Sequence, residues 1–321
     1  MRASDPARLT TSFGGASPRA SELLDDPLLA VVGNTPLVPL RRLVARHGGA
    51  FELWGKLEAT NPSGSVKDRA ALAIVRAAIE AGDLGAGRTL VDASSGNTAV
   101  AYAMLGARLG FSVTLFVPRN ASAERLARLS ALGTSVVLTD PGAGTDGAQE
   151  EARALAASAP ERYFFADQYN NPQNPLAHYR TTGPEIWRQS RRRLTHLVCG
   201  VGTGGTITGT ARFLKEQEAS IQVVGVEPDE PMHALEGLKH LPTARRPSTY
   251  DEALVDRTER VATEEAVALR AALARDEGLV VGLSSAAALV ASLRVGGRSE
   301  GAYVVTVLPD SGGSPGQEPT A

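Results

Sequence analysis

The chain has 321 residues, enough for about two domains at roughly 150 residues each or for one large α/β unit. At 43% hydrophobic and 21% charged it is not a disordered, collagenous or coiled-coil chain. Lys+Arg 33 against Asp+Glu 35 leaves a net charge of −2, which favours neither nucleic acid nor an anionic membrane as partner. The single cysteine, Cys199, excludes an internal disulfide and any multi-cysteine metal site, and it suits a reducing cytoplasm.

Residues 1–30 are rich in Ser, Pro, Arg and Ala with weak periodicity, and they read as a flexible N-terminal extension or an arm against a partner subunit, without an apolar signal core. From residue 37 onward apolar runs alternate with helical patterns. Strands are predicted over 51–57, 89–93, 112–117, 135–139, 163–166, 196–199, 222–226, 279–282 and 303–308. Helices are predicted over 66–81, 99–110, 123–132, 147–157, 175–189, 206–216, 264–277 and 285–293. Strand–helix alternation of this kind predicts βαβ units and mostly parallel sheets, an α/β fold. The apolar runs fall far short of the ~20 residues of a membrane span. Arg191–Arg193 reads as a solvated turn rather than a nucleic-acid patch.

Three polar joints follow predicted strands and open helices, where ligands of open α/β sheets bind. The first is Asn61-Pro62-Ser63-Gly64-Ser65-Val66-Lys67-Asp68-Arg69. Ser65 is the expected N-cap, which puts Lys67 in the first helical turn. A cation is misplaced there by about 0.3–1 kcal/mol. The same field and burial lower a lysine pKa, as a Schiff-base lysine requires. A surface lysine paired with a neighbour is the other reading. With only four lysines against 29 arginines, each lysine calls for a reason. The second joint, Ser94-Ser95-Gly96-Asn97-Thr98, is either an ordinary capped turn or an anion cradle suited to a carboxylate. The third, Gly200-Val201-Gly202-Thr203-Gly204-Gly205-Thr206, lets backbone amides approach a phosphate. It also fits G-x-G-x-x-G, with Glu227 placed as a ribose-binding acid, so a nicotinamide-dependent oxidoreductase is a competing reading. The threonines favour a compact phosphomonoester cup, and a dinucleotide site leaves Lys67 without a task.

Taken together, these loops resemble the pyridoxal-phosphate-dependent cysteine synthase family, of the tryptophan-synthase-β structural type (fold type II). The resemblance runs from about Gly33 to Asp310. It includes Gly33-Asn34-Thr35-Pro36-Leu37, the lysine motif, Gln168 to Pro172, His178 to Ile186, Gly225-Val226-Glu227-Pro228, Gly282 to Ala287 and Leu308 to Gly312. The resemblance implies two three-layer α/β domains with pyridoxal 5′-phosphate in the cleft between them. Residues 61–170 would form a smaller mobile domain, and 31–60 with 171–321 a larger cofactor domain. Lys67 would hold the cofactor aldehyde and then act as base on the substrate α-carbon. Asn97 would bond the 3′-oxygen, while Gly202, Thr203, Gly204, Gly205 and Thr206 would bind the phosphate. Ser284 would face the pyridine nitrogen, which weakens the electron sink and suits β-elimination. Ser94, Ser95, Gly96, Asn97, Thr98 and Gln168 would form the substrate site, gripping the α-carboxylate. Lys239, Arg245 and Arg246 are candidates for recognising a phosphate leaving group.

The implied reaction is a β-replacement through α-aminoacrylate. O-acetylserine or O-phosphoserine and sulfide, or a sulfide carrier, would yield L-cysteine. A homodimer is implied, with serine acetyltransferase or a sulfur-carrier protein as further partners. A cystathionine β-synthase-like enzyme using serine and homocysteine is the alternative within the family. The tail from Gly313 departs from the usual family ending.

Overall fold

The apolar runs at 89–93 and 303–308 become inner strands of two different sheets. The structure, a computed structural model, describes residues 25–85 and 87–312. In chain order the first part contains α1 (Pro27–Ala30), β1 (Leu37–Pro39), α2 (Arg41–Arg46), β2 (Glu52–Leu57), α3 (Lys67–Glu80), β3 (Thr89–Ala93), α4 (Asn97–Leu109), β4 (Ser112–Pro118), α5 (Ala123–Ala131), β5 (Ser135–Thr139), α6 (Gly144–Ser158) and β6 (Tyr163–Phe165). The second contains α7 (Gln173–Arg180), α8 (Thr182–Gln189), β7 (His196–Gly200), α9 (Gly205–Gln217), β8 (Gln222–Pro228), β9 (Arg257–Val261), α10 (Thr263–Glu277), α11 (Leu283–Gly297) and β10 (Tyr303–Leu308).

The six-stranded sheet runs β1-β2-β10-β7-β8-β9, with only β1 antiparallel to its neighbour. The four-stranded sheet runs β5-β4-β3-β6 and is parallel throughout. This is the expected α/β class. Parallel neighbours need crossovers, and the helices that supply them cover both faces of each sheet. Alternation along β10 shows this: Val304 and Leu308 enter one core cluster, and Tyr303, Val305 and Val307 enter the other. In the second sheet Leu90 joins one cluster while Val91 and Ala93 join another. Adjacent parallel strands β2, β10 and β7 end on one side, so the segments after them meet there. Val66 N–H donates to the Pro309 carbonyl at 2.8 Å, and Ser65 bridges Asp310.

Several expectations are corrected. The predicted helix 175–189 is two helices, α7 and α8, meeting at Thr181 with φ −126° and ψ −68°. Pro184 has no amide to donate to the carbonyl of Arg180, so a continuous helix would lose that bond. The predicted strand at 279–282 does not form. β10 is flanked on both sides by β2 and β7, and the segment instead packs Val281 and Leu279 into the core. The sequence reading gives no element where β1, α2 and β9 form; in β9 the buried positions are Glu259 and Val261, among exposed Arg and Thr. Ser65 is not the helical cap. The helix starts at Lys67, whose N–H donates to Ser65 Oγ at 3.2 Å. Of the expected extension, residues 1–24 lie outside the described residues, as does the divergent tail from 313. Pro27–Ala30 is a short helix that buries Leu29.

Helix α3 is fixed at its start by a buried cluster of two cations and two anions. Arg69 Nε donates to Glu58 Oε2 at 2.7 Å, and its Nη1 and Nη2 clamp Glu185 at 2.7 and 2.8 Å. Lys56 Nζ reaches Glu185 at 2.6 Å, the Thr35 carbonyl at 2.6 Å and Gln189 at 2.9 Å. All four charged side chains are buried. Burial raises the Glu185 carboxyl, but Arg69 and Lys56 outweigh it and bring it to about 2. Removing one partner from such a cluster leaves an uncompensated charge inside. Glu185→Ala is therefore expected to lower unfolding stability by about 3–5 kcal/mol in a denaturant titration. The sign with pH follows from the lowered carboxyl. Its contribution is whole above the ordinary value of 4.5 and fades as pH falls through about 2, so wild-type and variant stabilities should converge in that window. Equal stabilities at pH 7 would contradict this account.

Candidate active site

One cavity is lined by Lys67, Asn97, Gly202, Thr203, Gly204, Thr206 and Ser284, together with Cys199, Leu238 and Asp310. These residues stand far apart in sequence. They meet because the segments after β2, β10 and β7 converge and because Asn97 opens α4 beside them.

Lys67 is the first residue of α3. Among the described residues its Nζ makes no hydrogen bond or ion pair. Burial holds the ammonium below the ordinary lysine value, and the negative charge of Asp310 works against that. The positive end of the helix dipole adds to the lowering. The Cys199 thiol beside it is pushed up to about 12 by burial, so it stays protonated and is a poor nucleophile.

The glycine-rich segment runs from the end of β7 into α9. A Cβ on Gly202 would lie 2.0 Å from the Gly237 carbonyl oxygen. Gly204 has φ +83°, and a Cβ there would lie 2.4 Å from Cβ of Tyr250. Neither position has room for a side chain. The backbone therefore stays bare toward the cavity, and the first turn of α9 presents amides without helical partners. Thr203 and Thr206 add hydroxyls. Buried His178 braces Thr206 Oγ1 through Nε2 at 3.2 Å and Thr182 through Nδ1 at 2.8 Å. Burial lowers its pKa well below the ordinary histidine value, so it acts as a neutral ring.

Ser94, Ser95 and Gly96 precede Asn97 on the turn between β3 and α4, and Thr98 follows it. Thr98 Oγ1 donates to Gln168 Oε1 at 2.7 Å. Gln168 Nε2 returns to the Ala93 carbonyl at 3.3 Å. Asn174 Nδ2 donates to the Gln168 carbonyl at 2.8 Å and to Thr203 Oγ1 at 3.0 Å, which ties the serine turn to the glycine segment. Asp92 underlies the turn. Its carboxylate accepts the N–H groups of Ala93 at 2.8 Å and Gln168 at 3.4 Å, and burial raises its pKa to about 7.

Of the other sequence candidates, Ser94, Ser95, Gly96, Thr98, Gln168 and Gly205 do not line the cavity. A Cβ on Gly205 would lie 1.9 Å from Asn174 Oδ1, so a glycine there lets that link close. Lys239, Arg245 and Arg246 are not on the cavity wall. Lys239 lies 4.8 Å from the Tyr169 ring centroid and 3.6 Å from Asp146, and Arg246 pairs with Glu252 at 2.6 Å. Arg245 is exposed. Glu227, the acid of the nicotinamide reading, is buried at the end of β8 and off the wall. Sequence reasoning overlooked Asp92, Asp310, Cys199 and the Gly237–Leu238 wall. The usable signal for the two aspartates was their position at the carboxyl ends of predicted strands.

A bare glycine turn with two threonines, a lysine amine free of partners at a helix start, and a serine hydroxyl fit a phosphorylated aldehyde. They define the site of a pyridoxal phosphate enzyme. The comparisons agree: the family "Pyridoxal-phosphate dependent enzyme" matches residues 28–310, and the chain belongs to it. Cysteine synthase of Aquifex aeolicus is 46% identical over 292 residues, covering 89% of each chain. Cysteine synthase B of Salmonella typhimurium is 42% identical over 281 residues, covering 88% of this chain and 91% of its own. The crystal structure of O-acetyl serine sulfhydrylase isoform 3 from Entamoeba histolytica superposes with TM-score 0.83 at 33% identity, covering 89% and 88%.

The bare turn should be sensitive to a single methyl. Gly202→Ala must displace the Gly237 carbonyl, an overpacking strain of about 1–3 kcal/mol. Absorbance titration of the apoprotein is expected to show pyridoxal phosphate binding weakened about ten- to a hundredfold. Unchanged affinity would mean that the Gly237 segment yields freely.

Proposed function

We propose that this chain is a cysteine synthase that replaces the β-substituent of an activated serine with sulfide to give L-cysteine. The observation that carries the reading is the free Lys67 amine opposite the bare glycine–threonine turn in one cavity. Pyridoxal phosphate, when bound, supplies the electron sink that lets an amino-acid α-carbon lose its proton. The chain's own residues do the rest. Lys67 Nζ would hold the cofactor aldehyde and would serve as the base at the substrate α-carbon. Its lowered pKa keeps a fraction of the amine neutral for both tasks. Gly202 to Thr206 would hold the phosphate, Asn97 would donate to the 3′-oxygen, and Ser284 would offer the ring nitrogen a hydroxyl rather than a charge. Ser94, Ser95, Gly96, Asn97, Thr98 and Gln168 grip the substrate carboxylate, and the Thr98–Gln168 bond presets that grip.

The unit spanning 61–170 closes on the unit made by 31–60 and 171–321 and excludes water from the reacting carbon. O-acetylserine is the favoured donor substrate. Lys239 and Arg246 are paired with Asp146 and Glu252, so neither offers an unmatched charge to a phosphate leaving group. The protein acts as a homodimer in the cytoplasm on small-molecule substrates; serine acetyltransferase or a sulfur carrier would be an additional partner.

The visible spectrum tests this reading. Holoenzyme is expected to show a visible cofactor band that changes on adding O-acetylserine, faster than with O-phosphoserine, and that recovers with sulfide. Lys67→Ala should lose the band and the activity together. A band that responds only to serine with homocysteine would move the assignment to the cystathionine reaction. A protein that takes up no pyridoxal phosphate would defeat it.

A further inference from the structure

Asp310 is the one carboxylate on the cavity wall among the described residues. It stands two residues beyond β10, where the polypeptide touches three other walls. Its main chain bridges Ser65, beside Lys67. Its carbonyl accepts the Gly282 N–H at 3.3 Å and the Ser285 hydroxyl at 3.3 Å, beside Ser284. Its carboxylate is pinned at both oxygens. Oδ2 accepts from Asn97 Nδ2 at 2.6 Å, and Oδ1 accepts from the Gly312 N–H at 3.1 Å. Gly282 makes room for it, since a Cβ there would lie 2.0 Å from Oδ1.

Neutral oxygens could serve both of those donors. A negative charge at the wall acts on the cations near it, Lys67 on the same cavity wall and Arg125 on α5. The 2.6 Å contact has the length of a charge-assisted hydrogen bond. The last torsion of an asparagine is broad, so without such a partner the Asn97 amide would turn freely.

We propose that Asp310 is a positioning residue of this site. Its carboxylate holds one N–H of the Asn97 amide, so that the other is left facing the cofactor, and its charge favours a proton on Lys67 Nζ. This rests on the proposed function, which gives Asn97 the 3′-oxygen. Preorganising the amide removes an ordering cost from cofactor binding. The charge opposes burial and the helix dipole, and so keeps the Lys67 nitrogen from losing its proton outright. Other charged and titratable groups face this pair from the neighbouring elements: Glu58, Cys199 and His178 face Lys67, and Arg125 on α5 faces Asp310. Arg69 lies on the same helix as Lys67, already matched by Glu58 and Glu185.

Two variants separate the two roles. Asp310→Asn keeps an acceptor for Asn97 and removes the charge, while Asp310→Ala removes both. Each is loaded with pyridoxal phosphate, its visible band is titrated with pH, and cofactor affinity is measured on the apoprotein. The band of D310N is expected to change at a pH about one unit below that of wild type. D310A should show the same shift and also bind the cofactor about tenfold more weakly. An unshifted titration in D310N overturns the charge role. Wild-type affinity in D310A overturns the Asn97 role. The underlying reading is checked separately on the unmutated holoenzyme: no visible band there, or a band that survives in Lys67→Ala, fails the proposed function and this inference with it.

Discussion

The structure depends on a buried balance of two cations against two anions around Arg69. Charges taken out of water are tolerated only when every one is matched and hydrogen-bonded. Here Glu58 and Glu185 divide the Arg69 guanidinium between them, and Lys56 completes the match from β2. The cluster joins the second strand and the start of α3 to helix α8, more than a hundred residues further along the chain. It sits two residues beyond Lys67. The lysine that faces the cavity is thus held by a neighbour that cannot move without exposing a buried charge.

This support has a chemical consequence. Lys67 stands at the positive end of a helix, half-buried, with no partner of its own among the described residues. Isolated, such an amine would be driven far toward the neutral form. The wall opposite supplies one carboxylate, Asp310, to moderate that drive. Glu58 adds to the effect of Asp310 on Lys67, and the other neighbours of the lysine carry no free charge. The Cys199 thiol is raised and stays protonated, His178 is lowered and stays neutral, and Arg69 is already matched. The cavity therefore sets one amine and one carboxylate side by side on its wall, with a bare glycine turn to receive an anion beside them.

Packing at the glycines shows how narrow the tolerance is. Gly209 lets α9 approach α7 until a Cβ would lie 1.9 Å from the Pro175 carbonyl. Gly205 admits the Asn174 amide, which bonds both Gln168 and Thr203. One close approach sets the helix and the other connects two walls of the site. Both are backbone matters, which is why a small side chain is required in places where nothing reacts.

The sequence by itself determined the α/β class, because apolar runs buried on both faces and separated by helical patterns can only be crossover units. It also located the three loops, and their joint order rather than any one of them pointed to the cofactor, because glycine, serine and threonine at strand ends serve ordinary caps and turns as well. It placed Lys67 at a helix start correctly, but took Ser65 for the cap. It missed the break at Thr181, although the proline that causes it is visible, and it drew a strand at 279–282 where β10 already has neighbours on both sides. Lys239, Arg245 and Arg246 looked like a basic site on charge alone; only the tertiary structure engages two of them with nearby acids and leaves all three off the cavity wall. The convergence of Asp310, Asn97 and Lys67, and the matching of Arg69 to Glu185, were likewise decided only in three dimensions. Long-range pairing of charges depends on which strand ends meet, and strand order is set by the packing of the whole sheet rather than by any local run of residues.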